Sequence, residues 1–245
     1  MPISIQPVLA EAWALFRRDR DWLMRLAAPF LFLPPFALQL LVPNWPPAPV
    51  GDDAAGREQR MLAWADLFAA WAREHGGWYI LAYAFAAFGS AAVYAAYLDP
   101  RAPDIRSALA RAGSLLPRYL LAVLLVAIPT GAGLFLWILP GLYVMGRFML
   151  AGPALVAEQP LSATGAVGRA FSLSRGAGLP LMALAALLLL GGFLAAQPFA
   201  LLDLRAGESR AAGALAAAGL AAVSMLTNIA QALVAVVVYR RLAAR

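Results

Sequence analysis

The chain of 245 residues has no cysteine, no lysine and one histidine. Without cysteine there is no disulfide framework, no thiolate nucleophile and no sulfur-based metal site. The one histidine, His75, lies in a polar connecting segment, and a lone imidazole does not make a metal centre. Charge is scarce as well: charged residues make up 13% of the chain and hydrophobic residues 63%. A soluble domain carries about a quarter charged residues. A water-facing surface on a chain of this length needs more polar residues than that. Lipid is the solvent in which this composition is stable.

All 19 basic residues are arginine. With the heavy use of alanine, this reflects a GC-rich coding genome rather than a mechanism. The formal net charge of +6 is compatible with nucleic-acid binding, but the arginines sit between apolar runs. Membrane topology explains that placement better than a phosphate-binding surface does, so no nucleic acid is expected as a partner. The N-terminus does not read as a cleavable signal peptide. Glu11, Arg17, Arg18, Asp19, Arg20 and Asp21 interrupt the first apolar stretch, and no small-residue cleavage site follows the next.

What the chain does have is long apolar runs. About 20 apolar residues cross the hydrocarbon core as a helix. Six segments fit: Trp22–Val42, Trp78–Leu98, Arg118–Leu139, Leu142–Ala157, Leu179–Leu202 and Ala211–Tyr239. The fold expected is all-α, a single polytopic membrane domain over residues 1–245. Leu139-Pro140-Gly141 is expected to form a tight outer turn before the short fourth span. With six spans, thirteen of the 19 arginines fall on the side of the termini: Arg17, Arg18, Arg20, Arg25, Arg101, Arg106, Arg111, Arg118, Arg169, Arg175, Arg240, Arg241 and Arg245. Five (Arg57, Arg60, Arg73, Arg205 and Arg210) fall on the other side. The positive-inside rule then places both termini in the cytoplasm. Trp45, Trp64, Trp71, Trp78 and Trp137 come near the outer interface, and Trp13, Trp22, Tyr119 and Tyr239 near the inner one, as an aromatic belt requires.

The longest segment between spans, residues 43–77, is an extracytoplasmic insertion. It opens with the stiff run Pro43-Asn44-Trp45-Pro46-Pro47-Ala48-Pro49. It continues as an amphipathic helix with Met61, Trp64, Leu67, Phe68 and Trp71 on one face. Such a helix rests on the bilayer or caps the bundle; the alternative is a lid or a docking surface for a partner.

Three segments on the cytoplasmic side resemble one another. They are Val8–Leu15, Ala108–Leu115 and Ala166–Leu173, at offsets of 100 and 58 residues. Each has a charge in fourth place (Glu11, Arg111, Arg169), alanine in fifth and leucine in eighth. Pro29 matches Pro129 at the first offset, and Pro140 matches Pro198 at the second. The six spans thus read as three hairpins, each preceded by a cytoplasmic amphipathic helix. Repeats of this kind are common in transporters and also arise in inert scaffolds.

No pattern of catalytic, cofactor-binding or metal-ligating residues stands out. The candidate intramembrane polar site comprises Arg147, Ser224, Thr227, Asn228 and Gln231. Arg147 lies six residues after Gly141, about 9 Å below the expected turn. It either snorkels or pairs with a carbonyl, or else it balances an anionic lipid headgroup or substrate. The four residues of the last span share one helix face by their i, i+3, i+4, i+7 spacing, facing protein or a polar path. Pro29, Pro34, Pro35, Pro129, Pro153 and Pro198 are expected to kink the spans. Gly131, Gly133, Gly191 and Gly192 are expected at close helix contacts. A surface ion pair between Glu158 and Arg169 or Arg175 is expected at the cytoplasmic face.

The stretch Ile138-Leu139-Pro140-Gly141-Leu142-Tyr143 to Arg147, then Pro153–Glu158 and Ala166–Gly176, resembles a known family. This is the multi-spanning membrane domain associated with bacterial glycerophosphoryl diester phosphodiesterases, which also occurs alone. The resemblance extends to the N-terminal Ile3–Phe16 helix and the six-span plan. It implies a place in the bacterial cytoplasmic (inner) membrane and no shared activity. The phosphodiesterase chemistry resides in a separate barrel with histidines and carboxylates, so it does not transfer to this chain. The expectation is a non-enzymatic scaffold or lipid-binding module of envelope or lipid homeostasis. Its partners would be membrane lipids and other membrane proteins, without a cofactor. The alternative is a transporter or flippase for a lipid or amphiphile.

Overall fold

The computed structural model describes residues 3–49, 54–136, 138–207 and 209–244. Among these, the regular structure is entirely helical. The helices are α1 (Ile5–Leu31), α2 (Leu33–Leu41), α3 (Ala54–Leu98), α4 (Ile105–Leu136), α5 (Ile138–Phe148), α6 (Ala151–Ala157), α7 (Ala163–Leu173), α8 (Gly178–Ala206) and α9 (Arg210–Ala243). Six stretches of the described residues are long and apolar enough to cross a membrane. They are Ile5–Leu41, Gly56–Leu98, Ile105–Leu134, Ile138–Ala157, Gly178–Ala206 and Arg210–Ala243. Each overlaps one of the six spans expected from the sequence.

The boundaries differ in instructive ways. The helix expected within the 43–77 insertion does not stop before the second span. It is the first half of α3, one helix of 45 residues. At 1.5 Å per residue α3 is about 67 Å long, roughly twice the hydrocarbon thickness. Leu139-Pro140-Gly141 is not a turn but the start of α5, where proline does little harm because first-turn N–H groups have no helical partner. Trp137 and residues 50–53 lie outside the described residues. α4 runs through Pro117 and Pro129, and α8 through Pro198. The first and fourth spans do break, at Phe32 and at Met149–Leu150, with Pro34 and Pro153 then placed in the first turns of α2 and α6.

Consecutive spans pack side by side, and α1 and α2 also pack on α9, which closes the six spans into a ring. Inside the end that carries both termini, α3, α6 and α9 touch one another. Here the helices are buried all round: Ala91–Ala95 of α3, Ala154–Val156 of α6 and Ala232–Tyr239 of α9. The alanines in these runs let backbones approach closely. Between helices in lipid such close packing, rather than release of water, is the main source of cohesion.

Two glycines set seams of the ring. A Cβ on Gly146 would lie 2.6 Å from the Leu181 carbonyl carbon and oxygen, so α5 and α8 meet backbone to backbone there. A Cβ on Gly192 would lie 2.8 Å from Thr227 Oγ1, which fixes α8 against α9. Gly133 similarly abuts Gly141, whereas Gly131 and Gly191 face open space.

Candidate functional site

The end carrying the termini is fastened by three ion pairs, each linking α1, α4 or α7 to the end of another helix. Arg111 of α4 donates from Nε to Asp99 at 2.7 Å, just past α3. Arg169 of α7 donates from Nε to both oxygens of Glu158 at 2.9 and 2.8 Å, just past α6. Arg241 near the end of α9 donates from Nη2 to Glu11 of α1 at 2.6 Å. Tyrosines extend the network. Tyr239 donates to Glu158 at 2.9 Å and Tyr97 to Asp19 at 2.7 Å, while Arg240 donates to the Tyr97 carbonyl at 2.7 Å.

Asp99 is the most enclosed of these groups, with a side chain 1% exposed. Burial pushes its carboxyl up. The side-chain and backbone donors of Arg101, with Arg111, outweigh that and hold it below the usual carboxylate range. Nearby, Asp104 accepts from the Ser107 backbone N–H at 2.7 Å and so caps the first turn of α4.

Arg147 closes a second joint. Its Nη2 donates to the Phe171 carbonyl at 2.7 Å and its Nε to Ser174 Oγ at 2.9 Å. The guanidinium lies over the Phe171 ring, 3.8 Å from the centroid, and 5.7 Å from that of Tyr143. Phe171 is in the last turn of α7, where carbonyls lack helical donors and the dipole is negative. Arg147 is therefore the C-terminal cap of α7, which corresponds to the carbonyl pairing weighed from the sequence. It does not point towards the polar residues of α9.

Those four residues also part company. Asn228 donates to the Ser224 carbonyl within the same helix at 2.8 Å, and Thr227 packs on Gly192. Gln231 lines a cavity. It contributes to a chamber of about 170 Å³ with Tyr94, Met145, Phe148, Met149 and Leu188. Behind it is a larger chamber of about 270 Å³, lined by Tyr94, Tyr119, Thr130, Met145, Phe148 and Met149 among others. The two share a wall of Tyr94, Val126, Met145, Phe148 and Met149. Among the described residues, Gln231 makes no hydrogen bond, and the buried hydroxyl of Thr130 has no partner. No charged side chain lines either chamber.

No family model, curated protein or solved structure matches this chain. The chemistry must therefore be read from the site itself. Among the described residues, no three histidine or acidic side chains come together as a metal site would need.

Sequence reasoning missed Asp99, the Glu11–Arg241 pair and the cavity walls. An acid directly after a span with an arginine 11 or 12 residues on, as in Glu158–Arg169 and Asp99–Arg111, was the available signal. An aromatic ladder on α3 was missed as well. Trp64, Phe68 and Trp71 stack at centroid distances of 5.3 and 5.8 Å, and Tyr79 continues from Trp71 at 5.3 Å. The indoles of Trp64 and Trp71 donate to the carbonyls of Pro46 and Pro43 at 3.1 and 3.0 Å, which ties the proline-rich run along the helix.

Proposed function

We propose that this chain is a non-enzymatic scaffold that binds membrane lipids, and through them or directly other membrane proteins, in the cytoplasmic membrane of a bacterium. In this reading both termini are cytoplasmic, as the arginine asymmetry argues, and the 43–77 segment lies outside. The resemblance to the phosphodiesterase-associated membrane domain points to the same location. The three hairpins are read as one duplicated unit, which the matching positions of the three ion pairs favour.

The observation that carries the scaffold reading is the plug at the end carrying the termini. Runs of α3, α6 and α9 are buried all round there, and ion pairs fasten the amphipathic segments around them. A transport route has to open this tightly packed region. Lipid binding is supported by two apolar grooves of about 480 Å³ each. One lies between α1, α2 and α3, beside Pro29, Leu33, Leu38, Trp78 and Phe85. The other lies between α1, α8 and α9, beside Leu9, Trp13, Leu188 and Leu226. The alternative of a transporter or flippase draws on the chambers beside Gln231.

One pair of measurements separates the two. The chain is placed in proteoliposomes with fluorescent phospholipid, and leaflet exchange is followed by dithionite quenching. Released chain is weighed by native mass spectrometry. The scaffold reading expects exchange at the rate of empty liposomes and lipid retained on the protein. Exchange well above the empty-liposome rate overturns it in favour of the flippase, and a chain stripped of lipid overturns lipid binding.

A further inference from the structure

We infer that the paired chambers between α3, α4, α5, α8 and α9 form a binding site for an uncharged single-chain amphiphile, with its hydroxyl or ester group on Gln231 and Thr130. This inference rests on the lipid-binding reading above and assigns it a place and a ligand class.

The case starts from two polar groups without partners. In the hydrocarbon region no bulk water is at hand to satisfy them, so a buried amide or hydroxyl normally finds a partner in the protein. The Thr130 hydroxyl is buried and unpartnered; the Gln231 amide is half-buried, faces its chamber and makes no hydrogen bond within the described chain. Its neighbours on α9 behave differently, since Asn228 satisfies itself on the Ser224 carbonyl. Each of the two groups lines one of the two chambers, and the chambers share a wall. An amphiphile with its own donors and acceptors would supply the missing bonds.

The walls select the rest of the ligand. Apart from those groups and the tyrosines Tyr94 and Tyr119, the linings are apolar. Met145 and Met149 stand in the shared wall, and unbranched thioether side chains adapt readily to an inserted chain. Charge decides against anionic lipids. No arginine lines the chambers, and Arg147, the nearest in sequence, is spent on the α7 terminus. A phosphate or carboxylate buried here would be a charge without a counter-charge. A monoacylglycerol-like head, which offers hydroxyls and an ester carbonyl, fits the donor set.

The test uses the full chain in lipid discs with two photoreactive probes carrying the same diazirine acyl chain, a monoacylglycerol and a lysophosphatidic acid. The monoacylglycerol is expected to label peptides containing Met145–Met149, at least threefold more than the charged probe. Gln231→Leu is expected to lower that labelling about tenfold, and Thr130→Val several-fold, while Ser224→Ala leaves it unchanged. Gln231→Leu is also expected to keep or raise the thermal stability of delipidated protein, because it removes an amide that bonds to nothing within the described chain. Equal labelling by both probes, or wild-type labelling in both cavity variants, overturns the inference. So does labelling confined to the outer grooves, or a cavity that holds only water and takes up neither probe. In the last two cases lipid retained in native mass spectra would leave the lipid-binding reading standing, so the two failures are distinguishable.

Discussion

Substituting Asp99 gives the sharpest check of how the end carrying the termini is held. Its carboxylate is almost fully enclosed, but its two arginine partners are not alike. The Arg101 side chain is 65% exposed and that of Arg111 is 22% exposed. An exposed pair contributes about 0–1 kcal/mol, because water screens it. Breaking a buried pair costs about 3–5 kcal/mol, most of it from the stranded charge. Arg101→Ala should therefore cost under about 1 kcal/mol. Arg111→Ala should cost about 2 kcal/mol, since Asp99 keeps Arg101 and one backbone donor. Asp99→Ala should cost about 3 kcal/mol, the low end of the range, because Arg111 retains some water. The double variant Asp99→Ala/Arg111→Ala should be no worse than Asp99→Ala alone, since the two residues share one interaction.

Thermal unfolding in detergent micelles, followed by tryptophan fluorescence, gives the ranking. The pH dependence supplies a second reading. Because the folded Asp99 carboxyl is held below its ordinary value, its contribution is present above the unfolded value of about 3.9. It is lost as pH falls through the lower folded value. The stability gap between wild type and Asp99→Asn should thus be full at pH 6 and narrow steadily below about pH 4. Equal losses from Arg101→Ala and Arg111→Ala, additive losses in the double variant, or a gap unchanged to pH 3 would refute the reasoning.

Arg147→Ala should release the end of α7 and cost about 2 kcal/mol in charge-assisted bonds and ring contact. Limited proteolysis should then cut near residues 174–177, and Arg147→Lys should rescue poorly, because an ammonium lacks the guanidinium fork. Gly146→Val should force α5 from the Leu181 backbone and cost about 1–3 kcal/mol as overpacking, read as a lowered midpoint of thermal unfolding. Tyr239→Phe should cost about 1 kcal/mol through loss of its bond to Glu158, whereas Glu158→Gln should cost more because Arg169 also loses its charged partner.

The spans were legible because hydropathy over about 20 residues is a property of composition, insensitive to what each side chain touches. The Glu158–Arg169 pair was legible for a related reason: an acid at a span end and an arginine on the next helix are local. The continuity of α3 was not. Gly76 and Gly77 are poor helix residues, at about 1 kcal/mol each relative to alanine, and they fall where the expected second span begins. In the structure α3 continues through that point, with the Trp71 and Tyr79 rings in contact across it at 5.3 Å.

The α9 polar stripe was legible as a face and no further. A shared face says that four residues look the same way, not what lies opposite each one. Gly192 sits across from Thr227, and a cavity lies beside Gln231. Both depend on how α8 and α5 pack, and helical spacing within α9 carries no trace of that. The same holds for Arg147, whose partners are 24 and 27 residues away in the chain.

One detail of the ion pairs bears on how the chain finds its own arrangement. At two joints the segment opening the next helix pair (α4 or α7) supplies the arginine and the span end supplies the acid. At the joint between first and last helices the polarity is reversed, with Glu11 on the segment and Arg241 on the span end. Three similar joints with identical charges would be interchangeable, and a segment would gain as much by settling on the wrong span end as on its own. The reversal removes that ambiguity for the joint between first and last helices. Glu11 placed beside Asp99 or Glu158 meets a like charge, and so does Arg111 or Arg169 placed beside Arg241. Mispairing is thereby penalised rather than merely left unrewarded. The inverted pair works as a key that fits one lock of three, so the closing contact tells the chain where the ring begins.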